Sequence, residues 1–367
     1  MTRSYRPADL HSAGAGQPLQ LAAQGFFWTG GELIDHPAAG KAMRGQQYVE
    51  YWIPLDLKHP LPLVMIHGGG GQGTDFLGTA DGREGWVHYF VRAGWAVYVV
   101  DRPHHGRSPF NPEFQGAMAA PGPTHFLERL FTRPGDFADN YPQAKLHTQW
   151  PGTGKLDDPA FLSFLAGTGP TLADSAASQI DAQRAGAQLL DLIGPAVLMT
   201  HSAGGPPGWL IADARPHLVR AIVAAEPLGP PFAAISGPLP YGITHAPLSF
   251  DPPLGLGEEL ASMDMPSPGE GLVPYKVQAE PARRLPALTQ MPIMVLTAEA
   301  SWMAADNHAI VHFLRQAGAS VDHLRLEDHG VHGNGHAMQL EANSDLVAGV
   351  IAQWLADQHL TVAKARD

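Results

Sequence analysis

Cysteine is absent from the 367 residues, which excludes disulfides, thiolate metal sites and a cysteine nucleophile. Its absence does not decide the compartment, because an exported protein can also do without disulfides. Basic residues are few: 23 Lys and Arg stand against 35 Asp and Glu, a formal net charge of −12. No basic stripe interrupts that balance, so nucleic acid and anionic membranes are poor partners. No apolar run approaches the roughly 20 residues of a membrane-spanning helix. The opening MTRSYRPADLHSAGAGQP lacks the apolar core of a secretory signal. As written the chain is expected to be cytoplasmic, although a leader removed ahead of residue 1 would leave the same sequence. There is no internal repeat and no block of like charge.

What is present suits a large globular core: 44% of residues are hydrophobic and 16% charged, an ordinary balance for a folded domain. Short apolar runs alternate with longer helical patterns. LPLVMIHGGGG (61–71), WAVYVVDRP (95–103), AVLMTHS (196–202), LVRAIVAAEP (218–227), MPIMVLTAE (291–299) and VDHLRLEDHG (321–330) read as strands. Helices are expected over 84–94, closed by Gly94, and over 174–194. The second would have Asp174 or Ser175 as its N-cap and Gly194-Pro195 as its stop. A last helix over 344–358 would put Val347, Ile351 and Trp354 or Leu355 on one face. This alternation predicts an α/β fold with a mostly parallel central sheet flanked by helices on both sides. QGFFWTGG and QQYVEYWIP, nearer the start, read as two antiparallel strands leading into it. Residues 109–173 and 228–290 break the rhythm with Pro, Gly and aromatics. Structureless stretches of that length are uncommon unless functional. Both leave the C-terminal ends of predicted strands, where α/β folds bind ligands. They are read as a pocket-shaping insertion and a cap insertion within one domain spanning 1–367.

The run VLMTHSAGGPPGW (197–209) poses the chemical question. A serine hydroxyl is a weak nucleophile unless it is held exposed beside a base. A sharp strand-to-helix turn lifts it off the sheet and puts the next amide at a helix start. Ala203, Gly204 and Gly205 are small enough for chain to cross chain there, and Pro206 and Pro207 suit a first helical turn. An ordinary βα turn would also explain a serine at 202. Thr200 stands where the common G-x-S-x-G pattern has glycine.

HGGGG (67–71) shifts the balance toward a nucleophile. Charge developing on a carbonyl oxygen needs preorganised donors, and glycine-loop amides supply them. Gly69 or Gly70 would act with the Ala203 amide. A phosphate loop is the weaker reading, since neither G-K-[ST] nor a well-placed G-x-G-x-x-G follows. DRPHHGRS (101–108) reads as a structural turn beneath the pocket, so His104 and His105 are not expected to be catalytic.

Nineteen histidines make any single one uninformative. DHGVHGNGHAMQ (328–339) is distinct, because it lies between the last predicted strand and the last helix. Of His329, His332 and His336, the last directly precedes the helix and is the chosen base, with His332 in reserve. The same three could form a zinc site, although H-E-x-x-H is missing and the interleaved glycines suggest a loop. A carboxylate must hold the imidazole tautomer. Glu226 ends one strand, while the loop after PIMVLTAE offers Glu299, Ser301 and Asp306. Ser301 occupies the place where an aspartate is often found, which favours Glu226 and leaves Asp306 second.

Taken in order, these motifs resemble the α/β-hydrolase superfamily over most of the chain. The glutamate after the strand following the elbow, together with GNGHAM, resembles a small group of bacterial serine esterases related to esterase 713. The resemblance implies an α/β-hydrolase fold with cap insertions, a Ser202–His336–Glu226 triad and carboxylic-ester hydrolysis; a homodimer is also within what it implies. No cofactor is expected, and the partner is a small-molecule ester. Lactonase, thioesterase or amidase activity would use the same residues. The rival classes are a non-catalytic ligand-binding module of the same fold and a metal-dependent hydrolase. Phe126, Phe131, Trp150, Phe232 and Tyr241 are aromatic candidates for the pocket wall, though each also suits a lid core.

Overall fold

The computed structural model describes residues 5–8, 18–255 and 257–360. The strands, in chain order, are β1 (Leu21–Asp35), β2 (Lys41–Pro54), β3 (Leu63–Ile66), β4 (Val97–Asp101), β5 (Met118–Ala119), β6 (Thr171–Leu172), β7 (Ala196–His201), β8 (Val219–Ala225), β9 (Ser262–Met265), β10 (Tyr275–Gln278), β11 (Ile293–Thr297) and β12 (Val321–Arg325). The longer helices are α1 (Trp86–Arg92), α2 (Pro159–Gly167), α3 (Ser175–Ile193), α4 (Gly205–Ala214), α5 (His308–Gln316) and α6 (Ser344–Asp357).

Eight strands form one sheet in the order β1-β2-β4-β3-β7-β8-β11-β12. The β1–β2 and β2–β4 pairs are antiparallel, and from β4 to β12 every pairing is parallel. The expected mostly parallel sheet is therefore present, led by an antiparallel hairpin longer than the two strands expected near the start.

The period-two rule sorts the strand side chains. Val64, Ile66, Leu198 and Ile222 face a core shared with α3, α4 and α5 through Leu189, Trp209 and Phe313. Leu63, Met65, Val197 and Met199 face the other way, onto Trp86 and Phe90 of α1 and Val347, Ile351 and Trp354 of α6. Both faces of β3 and β7 are buried, which is why their sequences read as unbroken apolar runs. At about 1.5–3 kcal/mol for each fully buried Leu, Ile, Val, Phe or Met side chain, this two-sided burial holds the strands in the middle of the fold.

Helix α3 starts at Asp174, whose carboxylate accepts the Ala177 N–H at 2.9 Å, and stops at Gly194 with φ of 82°. One expectation needs correction. The strand expected over 321–330 ends at Arg325, and Leu326–His329 form a 3₁₀ turn. Leu326 is buried beneath that turn, and left-handed Gly330 returns its amide to the Glu327 carbonyl. Apolar alternation continues across the bend, so the sequence gives no sign of it. No helix among the described residues is long and apolar enough to cross a membrane.

Residues 109–173 contain short helical turns, the β5–β6 pair and α2; Asp158 caps α2 by accepting the Ala160 N–H at 2.9 Å. This stretch has a small core of its own, in which Leu127, Trp150 and Phe161 meet Ala337 and Leu340. Residues 228–290 include the antiparallel ribbon β9–β10.

Candidate active site

Strand β7 ends at His201, and the chain turns at once. Ser202 has φ of 52°, a left-handed conformation that costs a non-glycine residue roughly 1–2 kcal/mol. Ser202–Gly204 make a single 3₁₀ turn before α4 begins. A Cβ on Gly204 would lie 2.6 Å from the carbonyl oxygens of both Ile66 and His67, so only glycine fits. Thr200 is accommodated from the opposite side. A Cβ on Gly208 would sit 2.6 Å from Thr200 Cγ2, so the space usually left by a strand glycine is supplied here by the helix.

The Ser202 hydroxyl lies 2.8 Å from His336 Nε2. On the other side of the ring, His336 Nδ1 is 2.5 Å from Glu226 Oε2. A carboxylate there makes Nδ1 the protonated nitrogen and leaves Nε2 to accept the serine proton. Glu226 is completely buried and also has positive φ, 42°. Its Oε1 accepts the Ala298 N–H at 2.8 Å and its Oε2 the Ser301 hydroxyl at 2.7 Å. Strands β8 and β11 are neighbours, so a glutamate at the end of one reaches the loop after the other. Ser301, standing where an aspartate is often found, donates to that glutamate. Asp306 makes no bond to His336; burial pushes its carboxyl up to about 7 and the nearby Glu226 charge adds to the rise.

The remaining histidines of 328–339 lie apart from this arrangement. His332 is exposed and faces Glu299 at 3.3 Å, and His329 ends the 3₁₀ turn. His104 and His105 are buried in the turn after β4, on Asp181 Oδ2 at 3.0 Å and the Pro103 carbonyl at 2.9 Å.

That turn braces the glycine loop. The Arg102 N–H donates to His67 Nε2 at 3.0 Å, and its guanidinium donates to the Gly68 carbonyl at 2.8 Å. Burial, with Arg102 adding to it, drives the His67 imidazole well below its usual range, so the ring is neutral and can accept. Asp101 accepts the Gly73 N–H at 2.6 Å and the Arg107 N–H at 2.7 Å. From the far side, the Gly169 N–H donates to the Gly70 carbonyl at 2.7 Å. Held in this way, the Gly69 and Gly70 amides have no backbone acceptor among the described residues, and both glycines line a cavity with Ser202 and Ala203.

The cavity has a volume of about 330 Å³. Of the five aromatic candidates, Phe126 and Phe131 line it. Trp150 is buried beside them, while Phe232 and Tyr241 pack against the main core. Asp75, Phe164, Trp302 and Gln339 are among the lining residues that sequence reasoning missed. It also missed Glu341, a fully buried carboxylate five residues past His336. Glu341 accepts from His147 Nε2 at 2.7 Å, Asn334 Nδ2 at 2.8 Å and the Gly335 N–H at 3.0 Å, and so fixes the backbone from which His336 projects. Its only sequence signal is the recurrence of polar residues, Asn334, Gln339, Glu341 and Asn343, around His336.

Known proteins share this arrangement of strands and loops. Residues 62–242 match the model of the alpha/beta hydrolase fold family. A protein named as a probable secreted lipase, phiG, from a fungal species (strain ATCC 74256), is 38% identical over 338 residues, covering 91% of this chain and 89% of its own length. The chain belongs to the α/β-hydrolase family. Among solved structures, one described as a novel bacterial esterase superposes with a TM-score of 0.61 at 24% identity, covering 94% of this chain and 98% of its own. That likeness extends the shared fold beyond the family match to nearly the whole α/β-hydrolase chain.

Proposed function

We propose that this α/β-hydrolase is a serine esterase that cleaves a carboxylic ester through an acyl-enzyme. The observation that carries the reading is the 2.8 Å contact of Ser202 Oγ with His336 Nε2, on a ring whose Nδ1 is held by Glu226. Ser202 attacks the ester carbonyl as His336 takes its proton. The amides of Ala203 and of Gly69 or Gly70 receive the oxyanion. His336 then protonates the leaving alcohol, and water, activated by the same ring, releases the acid. Glu226 keeps the tautomer and balances the imidazolium. Lactones, thioesters and amides would follow the same course and are separated by substrate panels.

The excursions 109–173 and 228–290 are proposed to roof the pocket; Phe126, Phe131 and Phe164 beside Leu228 and Ile235 in its wall support that. Homodimerisation is carried as a proposal too, supported by Phe26 and Trp28, 61% and 46% exposed on the edge strand β1. Sedimentation analysis tests it. For location, the cytoplasm is carried as a proposal, whereas the fungal relative is named as secreted; fractionation of the native cells decides.

The esterase reading is tested by incubating the protein with a fluorophosphonate, with and without chelator, and mapping the adduct by peptide mass spectrometry. Label at Ser202 in both samples, lost in Ser202→Ala together with ester turnover, is expected. An unlabelled Ser202, or turnover that survives Ser202→Ala, overturns it.

A further inference from the structure

One charged group in the cavity has no part in the steps above. Asp75 follows the glycine loop, and a Cβ on Gly71 would lie 2.1 Å from its Oδ2, so the carboxyl packs directly against that loop. It is the one acidic side chain among the cavity's lining residues, which include no lysine or arginine. Arg102 lies behind the loop: its guanidinium donates to the Gly68 carbonyl and its charge is felt at Asp75, but no hydrogen bond joins the two. The rest of the wall is largely apolar and aromatic. Phe131 lies 5.7 Å from Phe164 and 6.1 Å from Phe126, and the Trp302 ring is 5.1 Å from the His336 ring. Asp75, Phe164, Gly167 and Leu340 also line an open groove beside the cavity, so the carboxyl stands at the passage between the two. Burial pushes this carboxyl up to about 7; the Gln72 backbone and the Arg102 charge oppose the rise, and Asp101 adds to it. A carboxyl in a wall that also carries aromatic rings and no lysine or arginine matches an alkylammonium ion. Rings attract such a cation through their faces, and the carboxylate supplies the counter-charge. An overall charge of −12 favours cationic ligands over anionic ones at the approach.

We propose that the pocket selects esters carrying a cationic amine on one arm, with Asp75 as the counter-ion and the Phe164 ring beside it. This rests on the esterase reading for turnover, but not for binding.

The test compares butyrylcholine with its neutral carbon isostere, in which carbon replaces the quaternary nitrogen, at pH 8. The wild-type kcat/KM is expected to favour the cation by about tenfold or more, equivalent to about 1.4 kcal/mol. Asp75→Asn is expected to bring the ratio close to one. A wild-type ratio near one, or a ratio that survives Asp75→Asn, overturns the proposal. Binding of choline and its neutral isosteric alcohol to the wild-type protein, read by calorimetry, needs neither turnover nor a folded variant. Tighter binding of choline supports the proposal even if no ester is cleaved, in which case the esterase reading alone fails. Equal affinity overturns the proposal whatever the turnover.

Discussion

Two buried imidazoles lie side by side at the end of β7, with ring centroids 4.7 Å apart, and only one of them has a carboxylate. His336 has Glu226 on Nδ1 and Ser202 on Nε2. His201 donates from Nε2 to the His336 carbonyl at 2.8 Å and faces the Gln339 amide across 3.4 Å. Burial, reinforced by the neighbouring His336, pulls the His201 ring down to about 3. A ring that cannot take up a proton near neutrality cannot serve as a general base, however close it is to the serine. In the proposed mechanism, what separates the two is the carboxylate: one ring carries a positive charge in the transition state, and the other is a neutral strut.

The sharpest way to break this contrast is to remove the carboxylate. Glu226→Gln gives His336 an uncharged partner like that of His201, and kcat should fall by about a thousandfold or more. Far-ultraviolet circular dichroism should be unchanged. A fall of less than tenfold would mean that the charge is unimportant. Next in size, Glu341→Gln disturbs the loop beneath the ring and leaves it only partly satisfied. It should cost about 1–3 kcal/mol of stability, seen as a lower Tm, with a smaller loss of kcat than Glu226→Gln. The reverse ranking in kcat would show that the loop, rather than the charge, limits the reaction.

Replacing the strut itself should have a milder effect. His201→Phe strips the His336 carbonyl of its donor, with about a tenfold loss of kcat expected from a less well-held ring and a modest fall in Tm. The smallest effect is spectroscopic. In a nitrogen-15 histidine spectrum at pH 5, the His201 ring should still be neutral, because its folded pKa lies below the unfolded value of about 6.5. By linkage, its contribution to stability is complete above pH 6.5 and is lost as pH falls toward 3. An imidazolium signal from His201 at pH 5 would erase the distinction between the rings.

Much of this arrangement was readable from residue order. The parallel sheet declares itself in runs such as LVMI and AVLMTH, because a strand buried on both faces must be apolar throughout. Ser202 sits at a strand-to-helix junction and His336 in the loop between the last strand and the last helix, both marked by glycines. Glu226 stood out because Ser301 occupies the more usual acid position. The features that residue order does not reveal depend on meetings between distant segments. Gln339 reaches back 138 residues to His201, and Glu341 joins His147 across 194 residues. Nothing at Asp75 itself signals that helix α2 and the glycine loop will enclose it. The turn at 326–329 is hidden in the sequence because its buried Leu326 keeps the alternation of the strand before it.

The Thr200–Gly208 contact has a consequence for how such proteins are sought. The gap that lets a strand and helix approach belongs to a pair of positions, and either partner can provide it. Gly208→Ala should therefore cost about 1–3 kcal/mol, and Thr200→Ala in the same chain should return a large part of it. Search patterns that require glycine at one address will pass over chains in which the vacancy has crossed to the facing element.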